Sequence, residues 1–145
     1  MKMIIDATNM ITGRMASFVA KQALLGEKVD IVNCEKAIIV GSKEGVFHKY
    51  WYRARDMGGP VKGPFPSRMP DRLLRRIIRG MLPMDTARGR SAFKRVMCYI
   101  GTLDEFKGKT TTKVPQADAS RLTTLKTVTI GEICKFIGGK WNEQV

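Results

Sequence analysis

Histidine occurs once in this chain, at His48, and cysteine three times, at Cys34, Cys98 and Cys134. The cysteines are odd in number, far apart and without a Cys-x-x-Cys pair, which excludes a disulfide framework and leaves too few ligands for zinc. Each lies among apolar neighbours and reads as a small buried hydrophobe. His48 has no serine or cysteine partner at a diagnostic spacing and reads as a helix-surface or phosphate-contacting side chain. Glycine is not concentrated where a nucleotide loop needs it. Asn9-Met-Ile-Thr-Gly13 holds one glycine, and Gly41-Ser42-Lys43 lacks both the first glycine of a phosphate loop and the hydroxyl residue after lysine. Asp6 and Glu35 could lie at strand ends, but two scattered carboxylates do not make an acid–base pair. These gaps argue against an enzyme: no catalytic residue, cofactor, metal or small-molecule substrate is expected. No apolar run approaches the ~20 residues of a membrane span, and Met3-Ile4-Ile5 is too short for a secretory segment. A cytoplasmic protein without membrane contact is expected.

Carboxylates are also scarce where cations are dense. Between Lys43 and Arg95 there are 14 Lys+Arg against 4 Asp+Glu, so ten of the chain's thirteen excess positive charges fall in this stretch. Four acids cannot pair fourteen bases, and the unbalanced field attracts a polyanion. Arginine outnumbers lysine there by ten to four, and its planar fork of donors suits phosphate.

At 145 residues and 43% hydrophobic content the chain supports one core. The reading is a single domain, 1–145, with a core over 3–101, the basic region 43–95 and a tail 102–145 that ends in a helix. Met3-Ile4-Ile5-Asp6 reads as a strand. A helix follows, capped by Thr12, with Met15, Ala16, Val19, Ala20, Ala23 and Leu24 on one side and Gly26 at its end. Segments 29–33 and 37–40 read as strands, the second buried on both faces, and form either a hairpin or a strand and a bend. A helix from Lys43 gathers Phe47, Tyr50, Trp51 and Ala54 on one side, read as a core face in preference to a base-stacking platform. Residues 56–70, dense in Gly and Pro, form a cationic loop. Two helices, 71–79 and 86–95, each bury an apolar stripe and expose arginine. Cys98-Tyr99-Ile100 reads as a last strand and 107–113 as a flexible basic loop. Thr129 and Glu132 fit a capping box over the face Ile130, Ile133, Cys134 and Ile137, closed by Gly138-Gly139.

No helix-turn-helix, zinc-finger, basic-zipper, RRM or KH signature is present, so nothing sends a helix into a B-form major groove. Cationic helices flanking an irregular loop suit folded RNA, read through shape and phosphate. The candidate RNA-binding residues are Lys43, Lys49, Arg53 and Arg55 on the second helix, and Lys62 and Arg68 in the loop. Arg72, Arg75, Arg76 and Arg79 follow on the third helix and Arg88, Arg90, Lys94 and Arg95 on the fourth; Arg14 is added at the start of the first.

One set of residues is recognisable as a pattern. Asp6-Ala7, Gly13-Arg14-x-Ala16-Ser17-x-Val19-Ala20-Lys21, Val32-Asn33-x-Glu35-Lys36 and Gly41 precede Arg79-Gly-Met-Leu-Pro83, Gly89-Arg90 and Tyr99-x-Gly101. Together they resemble the family of the universal large-subunit ribosomal protein number thirteen, from Asp6 to about Gly101. Gly58-Gly-Pro-Val-Lys-Gly-Pro-Phe-Pro-Ser-Arg68 is similar to its archaeal/eukaryotic branch. The resemblance implies a three-layer α/β/α fold around a small, mostly parallel four-stranded sheet. It also implies a structural role on large-subunit ribosomal RNA early in assembly, beside neighbouring ribosomal proteins. The alternative it implies is a translational repressor that binds messenger RNA outside the ribosome.

Overall fold

The computed structural model describes residues 2–58 and 61–142; Met1, Gly59 and Pro60 of the loop, and residues 143–145 lie outside the described residues. Along the chain the elements are β1 (Lys2–Asp6), α1 (Thr12–Leu24), β2 (Lys28–Val32), β3 (Ile38–Val40), α2 (Lys43–Arg55), α3 (Pro70–Arg79), α4 (Ala87–Lys94), β4 (Val96–Cys98), β5 (Thr127–Thr129) and α5 (Ile130–Phe136). The fold is α/β.

β1 and β2 pair in parallel from Lys2↔Lys28 to Asp6↔Val32, which demands a long crossover, and α1 supplies it. Its stripe of Met15, Ala16, Val19, Ala20 and Ala23 is buried. Thr12 does not cap this helix. It is already the first helical residue, behind Ile11, and its hydroxyl is committed to the neighbouring strand, donating to the Ile38 carbonyl at 2.8 Å. β4 joins the other side of β2 in parallel, giving the order β1-β2-β4. This strand begins two residues before the expected Cys98, because Val96 opens the ladder; Tyr99 closes it, donating to the Ile31 carbonyl at 2.8 Å. The sheet has three strands where the resemblance implies four. Outside β1, Thr112 makes one parallel bridge to Ile5, and Pro115, without an N–H, turns the chain away three residues later.

Segments 29–33 and 37–40 are not partners. A 3₁₀ turn at Cys34–Lys36, entered through Asn33 at φ 55°, carries the chain out of the main sheet, and β3 pairs antiparallel with β5. Ile38 is buried but Val40 is 40% exposed, so the expected burial on both faces ends within the strand: a two-stranded ribbon covers little.

Strand alternation sorts the main sheet's side chains. Ile5, Val29, Ile31 and Val96 face α1, Leu73, Leu74 and Ile78 of α3, and Ala92 of α4; Val114, Ala117, Val128, Ile130, Ile133 and Cys134 complete this cluster. On the opposite face Ile4 and Val32 pack on Phe106, with Tyr99 and Leu103 beside it. Asp30 is buried there, its Oδ2 2.9 Å from Lys2 Nζ. That contact raises the pKa of the Lys2 ammonium.

α2 sits at the rim. Only Val46 is fully buried, while Phe47, Tyr50, Trp51 and Ala54 are half-buried rather than core, and Phe47 stacks on Phe136 of α5 at 4.5 Å. α5 keeps the capping box and buries Ile130, Ile133, Cys134 and Ile137, as its pattern predicts.

Candidate nucleic-acid interface

Ser42 begins α2 by accepting from the Gly45 N–H at 3.3 Å, and from there the helix presents Lys49, Arg53 and Arg55 to solvent. Lys43, at its first turn, is 3.6 Å from Glu132 of α5 and 5.4 Å from the Phe47 ring. Lys62 and Arg68 are exposed in the loop, which at Arg68 lies against the turn after α5: a Cβ on Gly139 would collide with the Arg68 carbonyl.

α3 opens with Pro70 and Asp71, both suited to a helix N-terminus. It exposes Arg72, Arg76 and Arg79. Arg75 departs from the expected outward set. It is half-buried, its Nε donating to the Val96 carbonyl at 3.1 Å and its guanidinium lying 4.4 Å from the Phe93 ring. The connection to α4 is tight, since a Cβ on Gly89 would occupy the Pro83 carbonyl oxygen. Thr86 caps α4 by accepting from Gly89 N–H at 3.1 Å.

On α4, Arg88, Arg90 and Lys94 are exposed, whereas Arg95, also expected outward, is half-buried. Arg95 Nη1 donates to the Ala23 carbonyl at 3.2 Å and Arg88 Nη2 to the Leu24 carbonyl at 3.3 Å. Both carbonyls lie in the last turn of α1, where Ala23 also accepts from the Gly26 N–H at 3.2 Å, and α4 adds two guanidinium donors to that helix end. Arg90 Nη2 donates to the Asp85 carbonyl at 3.1 Å, and Arg14 Nη1 reaches the Gln116 carbonyl at 3.5 Å.

Among the described residues three ion pairs occur, and of the fifteen candidates only Lys43 is in one. Glu44, Asp56 and Asp85 are exposed and none approaches a cation within 4.0 Å. The guanidinium groups therefore keep their charge uncompensated.

Two depressions gather some of them. One, of about 460 Å³, has Leu73 and Ile77 of α3 and Tyr50 of α2 as its floor, Pro64 and Pro66 as a wall, and Arg53 and Arg76 at its mouth. The other, of about 380 Å³, continues past Arg76 and Gly80 to Arg79 and Pro83. Neither includes Arg14, Lys62, Arg68 or Lys94. Sequence reasoning assigned Tyr50 to the core and so missed the first groove; the paired Pro64 and Pro66, which stiffen the chain opposite it, are the one local signal. It also passed over Lys21, which shares a shallow apolar depression with Arg88, because α1 lies outside the basic stretch.

The groups that could do chemistry are occupied. Asp6 accepts from Thr8 N–H at 3.0 Å, Thr8 Oγ1 at 2.7 Å and Asn33 Nδ2 at 3.0 Å. Burial pushes its carboxyl up, but these hydrogen bonds outweigh it and hold the group below the usual range. Glu35 Oε2 accepts from the Gly101 N–H at 3.1 Å. Burial raises the Cys34 thiol well above its ordinary value and pushes Cys134 up to about 12, so neither is a thiolate at neutral pH. No helix is long and apolar enough to cross a membrane among the described residues.

A family model described as Ribosomal protein L13 matches residues 1–105. The chain is 47% identical over 137 residues to the large ribosomal subunit protein uL13 of Methanopyrus kandleri, covering 93% of this chain and 86% of that one. It is 44% identical over 138 residues to the uL13 of Methanococcoides burtonii, covering 95% and 99%. For the uL13 of Methanosarcina barkeri the identity is 42% over 139 residues, covering 95% and 99%. All three relatives are archaeal, in line with the branch that the loop resembles. The motifs around Gly13, Gly80 and Gly89 thus sit in a match that spans most of the sequence, and the chain belongs to the ribosomal protein L13 family.

Proposed function

We propose that this chain is a structural constituent of the large ribosomal subunit: one ribosomal-protein domain, 1–145, that binds folded ribosomal RNA, meets neighbouring ribosomal proteins and aids early subunit assembly in the cytoplasm. It has no catalytic step, cofactor or metal. The three-layer arrangement, with the Thr112 segment as the sheet's fourth edge, belongs to the same reading. One observation carries it: the exposed cations between Lys49 and Lys94 have no carboxylate of the described residues within ion-pairing distance, and a large, chain-wide polyphosphate neutralises such a surface.

Phosphate contacts are assigned to Lys49, Arg53, Arg55, Lys62, Arg68, Arg72, Arg76, Arg79, Arg90 and Lys94. Arg14, Lys43 and Arg88 are secondary, since each has a partner on a distant segment of the chain, whereas the bond of Arg90 is local, to the Asp85 carbonyl just before its own helix. Arg75 and Arg95 hold the fold together.

Binding of the chain to archaeal large-subunit ribosomal RNA, measured across salt, tests this. With six to ten phosphates neutralised, affinity falls about 1,000- to 100,000-fold between 50 and 200 mM salt. Salt-independent binding would overturn the assignment. In a sucrose gradient of cell extract the tagged chain sediments with the large subunit; a main pool in light fractions on messenger RNA would replace this reading with the repressor.

A further inference from the structure

We propose that the groove between α2, the loop and α3 holds a single unpaired nucleotide of the RNA, its base on the Tyr50 ring and its phosphate between Arg53 and Arg76. This inference rests on the RNA-binding reading above and adds a site where a base, not only backbone, is engaged.

The groove is unlike the rest of the cationic surface. Its floor is apolar and continuous with the core, for Tyr50 and Ile77 pack against the main cluster while remaining half-exposed. Burial is strong enough to raise the Tyr50 phenol, against the lowering effect of Arg53. Yet Tyr50 and Ile77 stay half-exposed in the described chain, and the cleft they line, about 460 Å³, is in the range of ligand-sized clefts. Apolar surface left open costs free energy that an aromatic base recovers by stacking.

The mouth selects for an anion. Arg53 and Arg76 approach from different helices, are exposed, and have no carboxylate partner among the described residues. The Arg53 guanidinium lies 6.0 Å from the Tyr50 ring centroid, so a planar group on the ring also meets the guanidinium. A peptide occupant would need acidic and aromatic groups side by side; every nucleotide has a flat base and a phosphate one sugar apart. Unstacked bases are what proteins read in folded RNA, on aromatic rings and guanidinium planes.

The test is chemical probing of archaeal large-subunit ribosomal RNA bound by the intact chain, with dimethyl sulfate for base edges and hydroxyl radicals for the backbone. At least one unpaired adenine or cytosine is protected by the wild-type chain and reactive with Tyr50→Leu, which keeps an apolar floor without a ring. Tyr50→Phe restores the protection. Affinity drops about 5- to 150-fold in Tyr50→Leu, the effect of losing one base–aromatic stack. Arg76→Ala, on the exposed side, exposes the same base and decides the matter if Tyr50→Leu does not fold. An unchanged backbone footprint with no base that responds to these variants overturns the groove and leaves the cationic interface standing. Absence of any footprint overturns the interface and the groove with it.

Discussion

Arg75 and Arg76 adjoin in the sequence, yet one guanidinium lies on Phe93 and bonds the Val96 carbonyl while the other opens into a groove. A helix turns about 100° per residue, so neighbours on α3 meet protein on one side and solvent on the other. Arg75→Ala therefore lowers stability by about 1–2 kcal/mol, from one hydrogen bond and one cation–π contact, with little change in the salt dependence of RNA binding. Arg76→Ala does the reverse. Urea unfolding and a salt series on the two variants separate these outcomes. Gly89 makes a sharper case. Its Cβ position is filled by the Pro83 carbonyl, so Gly89→Ala forces α4 away from the turn before it and costs about 1–3 kcal/mol despite the better helix propensity of alanine; thermal melting reads this directly. The sequence marks both glycine and turn as part of a family pattern, but the reason for the glycine is a backbone contact six residues away, visible only once the turn is folded.

α5 shows how far local chemistry reaches. Thr129 accepts from Glu132 N–H at 3.2 Å and the Glu132 carboxylate accepts from Thr129 N–H at 3.0 Å, and this box is spelled out in four consecutive residues. Its Glu132 is held below the usual carboxylate range, first by the backbone hydrogen bond from Thr129. A lowered folded value means that the stabilisation is complete above the ordinary glutamate range, ~4.3, and disappears as pH falls through the folded value. Glu132→Gln should flatten the acid side of the melting-temperature profile in that window, and Thr129→Ala should cost about 1 kcal/mol at neutral pH, roughly 2–4 °C in Tm. α2 was less legible. Its aromatic spacing predicts a core face, but periodicity gives a direction and not a depth, and here the direction points to the rim of the domain. The same limit explains β3: an apolar trio reads as a doubly buried strand, whereas its true partner lies nearly ninety residues on in β5, beyond any local signal.

For the molecule as a whole, a net charge of +13 acts on folding and on binding with opposite signs. Salt screens the repulsion among unpaired cations and so raises Tm of the free chain between 20 and 300 mM, while it weakens the RNA complex; calorimetry and filter binding on one preparation should give slopes of opposite sign. The charge excess was legible because counting needs no structure. The groove was not, because it exists only when the Pro64–Pro66 strip folds back over α3. The tail that completes this arrangement is made after the basic stretch. As the chain emerges from a translating ribosome, β3 has no partner strand until Thr127–Thr129 appears, and the backbone at Arg68 has no support until Gly139 follows it. A message cut short before Thr127 therefore yields a fragment with every arginine of the basic stretch but an open strand edge and an unsupported loop. An edge of that kind is open to pairing with another chain, so the cationic stretch is properly framed only once the residues that follow it have been made.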